Sequence, residues 1–209
     1  MKKLLFPIFI LSLFFLISCE NENNEKKLFP TETERVWIGP DVWANPLQDW
    51  KLDNGKLVCL YSGKNRNVNF LTYRIENPAK GFEISFECGF LNTKAISDKN
   101  FVGIRVGAIG PFNDYRSDAI YGKGLNIGLT TTGKLFAGTD TLQIEDFQKN
   151  LSSKFDFEIV LKENLKELVV TLEDEDKDED LGEIHLIIDG LEKLEGSIAL
   201  VSSFADVKG

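Results

Sequence analysis

The stretch KFDFEIVLKENLKELVVTLED, residues 154–174, alternates apolar and polar side chains with a period of two. Phe155, Phe157, Ile159 and Leu161 fall on one face, and Leu168, Val170 and Leu172 repeat the pattern. That period belongs to strands with one side against a core and the other towards solvent, whereas a helix repeats every three to four residues. GFEISFECGF, residues 81–90, sets Phe82, Ile84, Phe86 and Cys88 against Glu83, Ser85 and Glu87. Ile184, Leu186 and Ile188 do the same in GEIHLIID.

Further strands are expected in KLVCLY, VNFLTYRI, FVGIRVGAI, LNIGLTT, KLFAGT and GSIALVSS, with alternation beginning near Trp37 and an N-terminal strand at VWIG. Asn54-Gly55, Thr132-Gly133 and Asp189-Gly190 occupy breaks, and such residues accept the positive φ of tight hairpins. Trp50, Leu52, Leu57 and Val58 read as a first hairpin turned by Asn54-Gly55. No convincing helix is expected, and TLQIEDFQKNL offers at most a short turn. The acidic run EDEDKDED, residues 173–180, lacks the central glycine and spacing of an EF-hand loop and reads as a solvated hairpin tip. About a dozen half-polar strands imply an all-β domain of two antiparallel sheets packed face to face.

The chemistry to be expected is limited. The formal charge of −9 and the lack of any dense Lys/Arg run argue against nucleic acid as a partner. His185 is the only histidine and lies off the apolar face of its strand; no GxSxG elbow accompanies it. YGKGLNIG lacks the GK[ST] ending of a phosphate-binding loop. Acids sit singly on outward faces or in the hairpin tip, without the ExDxxE-like strand motif of sandwich glycoside hydrolases. No catalytic residue, metal site or cofactor is expected. Cys59 and Cys88 lie in apolar strands and are read either as a disulfide or as buried thiols.

The N-terminus begins MKKLLFPIFILSLFFLISCENENNEKK. A basic pair precedes an apolar run of 14 residues, Leu4 to Ile17, which is short of the about 20 that span a bilayer. Leu16-Ile17-Ser18-Cys19 resembles the lipobox of bacterial lipoproteins, and the resemblance implies cleavage before Cys19 and its acylation. Residues 1–18 are then a signal peptide, 19–34 a lipidated cysteine and polar tether, and 35–209 the β-domain. Removing Lys2 and Lys3 moves the charge from −9 to −11. The expected place is the bacterial cell envelope, anchored by lipid, with the outer membrane as the expected site.

WANPLQDWKLDNGKLVC and NRNVNFLTYRI, followed by GIRVGAIG, DYRSDAIYGKGLNIGL and GKLFAG, resemble the N-terminal region of bacterial lipoproteins carrying a PhoD-type alkaline phosphatase domain. The likeness covers most of residues 36 to 205 and implies a concanavalin A-like (LamG-type) jelly-roll sandwich. In that family the metal-binding residues belong to a downstream phosphatase domain, so none carries over here. The resemblance also implies at least one further strand after GSIALVSS, and hence a sandwich lacking its closing strand.

The expected function is therefore a non-catalytic, envelope-anchored domain that binds a glycan or positions an enzyme. The alternatives are the N-terminal part of a PhoD-like phosphatase or phosphodiesterase, with a C-terminal phosphatase domain as partner, and a glycoside hydrolase of this fold. Asn65, Arg66 and Asn67 cluster as hydrogen-bonding groups, and Arg105 interrupts GIRVG opposite Ile104 and Val106. If the strands carrying Arg105 and Tyr121 line a concave sheet, these groups form a polar floor for a sugar hydroxyl or an anion. Trp43 and Tyr115 could then stack on an apolar sugar face. An internal ion-pair network of Arg105 or Arg116 with Asp114 or Asp118 is the competing expectation.

Overall fold

The computed structural model describes residues 34–204 other than 62, 92 and 113, together with Phe29. Alternating segments become strands in chain order: β1 (Val42–Asn45), β2 (Trp50–Asp53), β3 (Lys56–Cys59), β4 (Arg66–Ile75), β5 (Phe82–Gly89) and β6 (Phe101–Ile109). One helix, α1 (Tyr115–Tyr121), follows. Then come β7 (Lys123–Thr130), β8 (Lys134–Ala137), β9 (Asp140–Gln143), β10 (Lys154–Leu161), β11 (Glu167–Asp174), β12 (Glu179–Ile187) and β13 (Gly196–Ser203).

All pairings are antiparallel. The larger sheet has the order β1-β4-β13-β6-β7-β8-β9, the smaller one β12-β11-β10-β5, and β2-β3 form a separate hairpin. In the smaller sheet Phe157 lies opposite Phe86 and Leu172, while Ile159 lies opposite Ile84 and Val170. These side chains pack against Ile104, Val106, Ile127, Leu129 and Leu135 of the larger sheet in one apolar cluster. Phe155, Phe157, Ile159, Leu161, Leu168, Val170 and Leu172 are all almost fully buried, as their alternation requires. Each contributes about 1.5–3 kcal/mol by leaving water.

The hairpin covers what the smaller sheet does not reach. Trp50 packs with Ile38, Val42, Ala44 and Val68 in a second cluster. Val68 lies opposite Leu200, and Leu200 lies opposite Ile104, so both clusters occupy the same face of the larger sheet. Asn54 (φ 49°) and Gly55 (φ 76°) turn the hairpin, the two positive φ values that a type I′ turn demands. The first hairpin thus caps the core as its sequence implies.

Several expectations need correction. DYRSDAIY forms α1 where no convincing helix was expected, because Asp114 caps it: its Oδ1 accepts the Arg116 N–H at 2.8 Å. Tyr121 ends this helix and is not on a strand. VWIG is not a strand; only a bridge from Arg35 to Leu52 forms there, with Val36 and Trp37 exposed and Ile38 buried. Asp189-Gly190 makes no hairpin but leads through a 3-10 turn (Leu191–Leu194) from the smaller sheet to the centre of the larger one. TLQIEDFQKNL divides into β9 and a 3-10 turn at Phe147–Lys149, whose Phe147 is buried in the main cluster.

Thr132-Gly133 does turn β7 into β8, and EDEDKDED does form the tip between β11 and β12. Within that tip Asp174 is fully buried, accepts the Asp176 N–H at 3.1 Å and pairs with Lys177 at 3.2 Å. Cys59 and Cys88 are free thiols, and burial pushes both upward in pKa. β13 sits between β4 and β6. The leader, Cys19 and nearly all of the tether lie outside the described residues.

Candidate functional site

Residues directly opposite in an antiparallel pair point to the same side of the sheet, which assigns the larger sheet's outer face row by row. One row runs Trp43 on β1, Asn69 on β4, Ala199 on β13, Arg105 on β6 and Asn126 on β7. The next runs Asn45, Asn67, Val201, Gly103, Gly128 and Phe136. Trp43 and Arg105 are three strand spacings apart, about 14 Å across the sheet.

Arg105 organises this face. Its Nη2 donates to Asn65 Oδ1 at 2.7 Å and its Nε to Asn126 Oδ1 at 2.9 Å; Nη1 lies 3.5 Å from the Gly122 carbonyl oxygen. To reach Asn65 the side chain crosses β13, where Ala199 and Val201 are both 1% exposed. Asn65 takes a left-handed φ of 54°, a conformation asparagine tolerates, and this brings its amide to the guanidinium. Asn67 Nδ2 donates to the Asn65 carbonyl at 3.1 Å, and Asn69 Nδ2 donates to Asn67 Oδ1 at 2.7 Å. A chain of neutral amides therefore leads along β4 to a half-buried cation. Burial lowers the pKa of Arg105, and no carboxylate pairs with it among the described residues.

The face is rimmed by α1, which packs on β1, β4, β6 and β13. Tyr115 at its start meets Trp43 edge-on, with ring centroids 6.2 Å apart and planes at 65°. Both rings are exposed enough to touch a ligand. Asp114 and Arg116 pair at 2.6 Å, which holds the Asp114 carboxyl below the usual carboxylate range. Asp118, itself buried, fixes the helix from below. It accepts the Gly110 N–H at 2.7 Å, the Ser197 hydroxyl at 2.8 Å and Arg74 Nη1 at 3.0 Å. A cleft of about 540 Å³ opens beside it, lined by Arg74, Gly110, Phe112, Asp114 and Tyr115 among others.

The residues singled out in sequence thus separate. Asn65 and Arg105 meet directly, with Tyr121 exposed beside Gly122. Trp43, Asp114, Tyr115 and Arg116 form a second neighbourhood at the other end of α1. Arg66 belongs to neither: it lies opposite Ser202 on the inner side, with Nε 2.6 Å from the buried Asp49 carboxylate. Of the ion pairs expected, Arg116–Asp114 forms, Asp118 goes to Arg74, and Arg105 joins neither acid. Asn126 was missed, although LNIGL sets it between the apolar Leu125 and Ile127 just as Arg105 lies between Ile104 and Val106.

The outer face of the smaller sheet has the opposite character. Glu87, Asp156 and Glu173 stand directly opposite one another across β5, β10 and β11, with Glu83 and Glu158 nearby. The acids expected to sit singly are gathered by strand register. Oxygens of Glu87, Asp156 and Glu175 lie within 4.8 Å of one another. Lys154 answers them, 3.6 Å from Glu87 and 3.0 Å from Glu175, so the trio has a resident cation. His185 on β12 is likewise engaged, by Glu167 at 2.9 Å and by Glu183, and both carboxylates raise its pKa.

No family model and no curated protein matches this sequence. Solved structures do match in shape. Lectin UEA-II complexed with galactose superposes with a TM-score of 0.58 at 10% identity, over 85% of this chain and 89% of that one. Lectin I from Ulex europaeus, in complex with the methyl glycoside of α-L-fucose, gives 0.52 at 14% identity, over 86% and 89%. Arcelin-5, a lectin-like defence protein from Phaseolus vulgaris, gives 0.52 at 13%, over 84% and 92%. The fold is a concanavalin A-like jelly-roll sandwich. In this sandwich Arg105 and the partly exposed amides of Asn65 and Asn126 lie on the outer side of the seven-stranded sheet, where Asn67 and Asn69 are buried, and the acidic cluster lies on the outer side of the four-stranded one.

Proposed function

We propose that the chain is a non-catalytic, glycan-binding module held to the cell envelope by a lipid on Cys19. The observation that carries the binding part is the outer-face set of Trp43, Asn65, Arg105 and Asn126, which stay at least partly exposed while Asn67 and Asn69 between them are buried. Carboxamides and a guanidinium hydrogen-bond sugar hydroxyls, an exposed indole covers the apolar face of a pyranose, and neither group moves protons at neutral pH. Two of the superposing lectins carry galactose or a fucose glycoside, which supports the same ligand class here. The resemblance to phosphatase lipoproteins adds the expectation that such a module serves an enzyme as its accessory.

Binding is checked by titrating the full chain, in detergent, with a panel of neutral and acidic oligosaccharides. At least one is expected to bind, and Trp43→Ala should weaken it about tenfold by removing one stacked aromatic contact. Binding that Trp43→Ala leaves untouched would move the ligand off this face.

Anchoring rests on LISC after a basic and apolar leader. Labelled fatty acid should enter the wild-type chain and be lost in Cys19→Ala. Equal labelling of the two would remove the lipid from the account.

A further inference from the structure

The arginines of this acidic chain are not treated alike. Arg66, Arg74 and Arg116 each have a carboxylate at 2.6, 3.0 and 2.6 Å respectively. Arg35 lies over the Trp37 ring. Among the described residues Arg105 is held by neutral oxygens alone, from Asn65, Asn126 and Gly122, although it is half-buried in the middle of the sheet. Carboxylates outnumber basic side chains 33 to 24 in the sequence, so this is not a shortage of acids.

A cation taken partly out of water is stabilised most by an opposite charge, and neutral carbonyls replace only part of its hydration. The three acceptors engage one N–H each, on Nε, Nη1 and Nη2. A guanidinium carries five N–H groups, so each terminal nitrogen keeps one free. The Asn65 and Asn126 amides fix the plane of the group and leave its charge uncancelled. A carboxylate matches those remaining donors in charge and number.

We infer that Arg105 anchors the carboxylate of an acidic sugar, so that the glycan taken by this face contains uronate residues. This rests on the reading of the face as a glycan site and adds its charge class. Trp43, about 14 Å away along the same row, then stacks on a different sugar unit from the one whose carboxylate Arg105 holds. The opposite outer surface, with Glu83, Glu87, Asp156, Glu158 and Glu173, repels such a polymer. An anionic chain therefore has one of the two sheet faces open to it.

The test uses the full chain in detergent with four probes: oligogalacturonate, its fully methyl-esterified form, dextran sulfate and neutral dextran. Oligogalacturonate is expected to bind about 10- to 100-fold more tightly than the ester, the range for hydrogen bonds to a charged group. Arg105→Gln should remove the preference, so that the variant binds the acid form and the ester with equal affinity. Arg105→Lys, which keeps the charge and loses the planar fork, should fall between. A Trp43→Ala variant should weaken acid and ester by the same factor. Equal binding of acid and ester, or no effect of Arg105→Gln on the acid form, overturns the inference while leaving a neutral-glycan site standing. Preference for dextran sulfate over oligogalacturonate overturns it in favour of a sulfate site. If no oligosaccharide, acidic or neutral, binds at all, both the inference and the glycan reading fall.

Discussion

Replacing Phe157 by alanine is expected to cost about 3–5 kcal/mol of folding stability, the range for deleting a buried aromatic ring. Phe157 is 1% exposed, lies in the middle of the smaller sheet and stacks on Phe86 with centroids 4.9 Å apart and planes at 4°. The side chains around it belong to two sheets whose strands are fixed by hydrogen-bonded register, so the space left cannot collapse fully. A loss of that size is a large share of the roughly 5–15 kcal/mol that holds a typical domain together. Denaturant unfolding followed by tryptophan fluorescence measures it. Phe112→Ala is the control, because Phe112 is exposed and should change stability by less than about 0.5 kcal/mol. Equal effects at the two positions would contradict the sandwich packing.

Asp118→Ala is expected to undock α1 and weaken ligand binding without unfolding the sandwich. The carboxylate gathers the Gly110 N–H, the Ser197 hydroxyl and Arg74, thereby tying the helix to a loop and to the strands β4 and β13. Its loss takes this acceptor from three partly or fully buried donors and should cost about 2–3 kcal/mol. Ser117 contributes one more tie, its hydroxyl accepting the Phe112 N–H at 3.1 Å, so the helix should loosen rather than vanish. Tyr115 would then leave the edge of Trp43, and glycan affinity should drop by a similar factor to that of Trp43→Ala. Asp118→Asn, which keeps the shape and the acceptor for Gly110, should lose less. A variant that is destabilised yet binds normally would show that α1 supports the fold and not the ligand face.

The fold was legible where the chain alternates over a long stretch. Residues 154–174 and 81–90 carry enough apolar side chains on one face to specify buried strands, and Asn54-Gly55 specifies its own turn through φ. Short elements were less visible. Helix α1 has only seven residues, and its strongest signal, a capping aspartate, also reads as a loop residue. VWIG alternates well enough for a strand, but it ends in Gly39 with Pro40 next, and the only pairing beside it is a bridge at Arg35.

The site was half legible for a related reason. Alternation reveals that Arg105 and Trp43 face away from the core, but it does not reveal which strands become neighbours. β4 and β6 are joined through β13, which arrives from the far end of the chain. The amide partner Asn126 comes from the β6–β7 pairing, the gathering of Glu87 with Asp156 from the β5–β10 pairing, and the burial of Arg66 from its ion pair with Asp49, none of which alternation within one strand reveals. Arg66 misled for a further reason: in NRN every side chain can hydrogen-bond, yet successive strand residues point to opposite faces. Asn65 and Asn67 go out towards Arg105, and Arg66 goes in.

The most direct test of the glycan face is a titration of the full chain with oligogalacturonate, followed by NMR of the tryptophan indole N–H and arginine Nε–H signals. The three tryptophans sit in different places: Trp43 on the outer face, Trp50 buried under the hairpin, and Trp37 beside Arg35 outside the sheet. The account predicts that the Trp43 indole and the Arg105 Nε–H shift together and saturate at one ligand concentration, while Trp37 and Trp50 stay in place. Saturable binding that shifts Trp37 or leaves both Trp43 and Arg105 unmoved would contradict it.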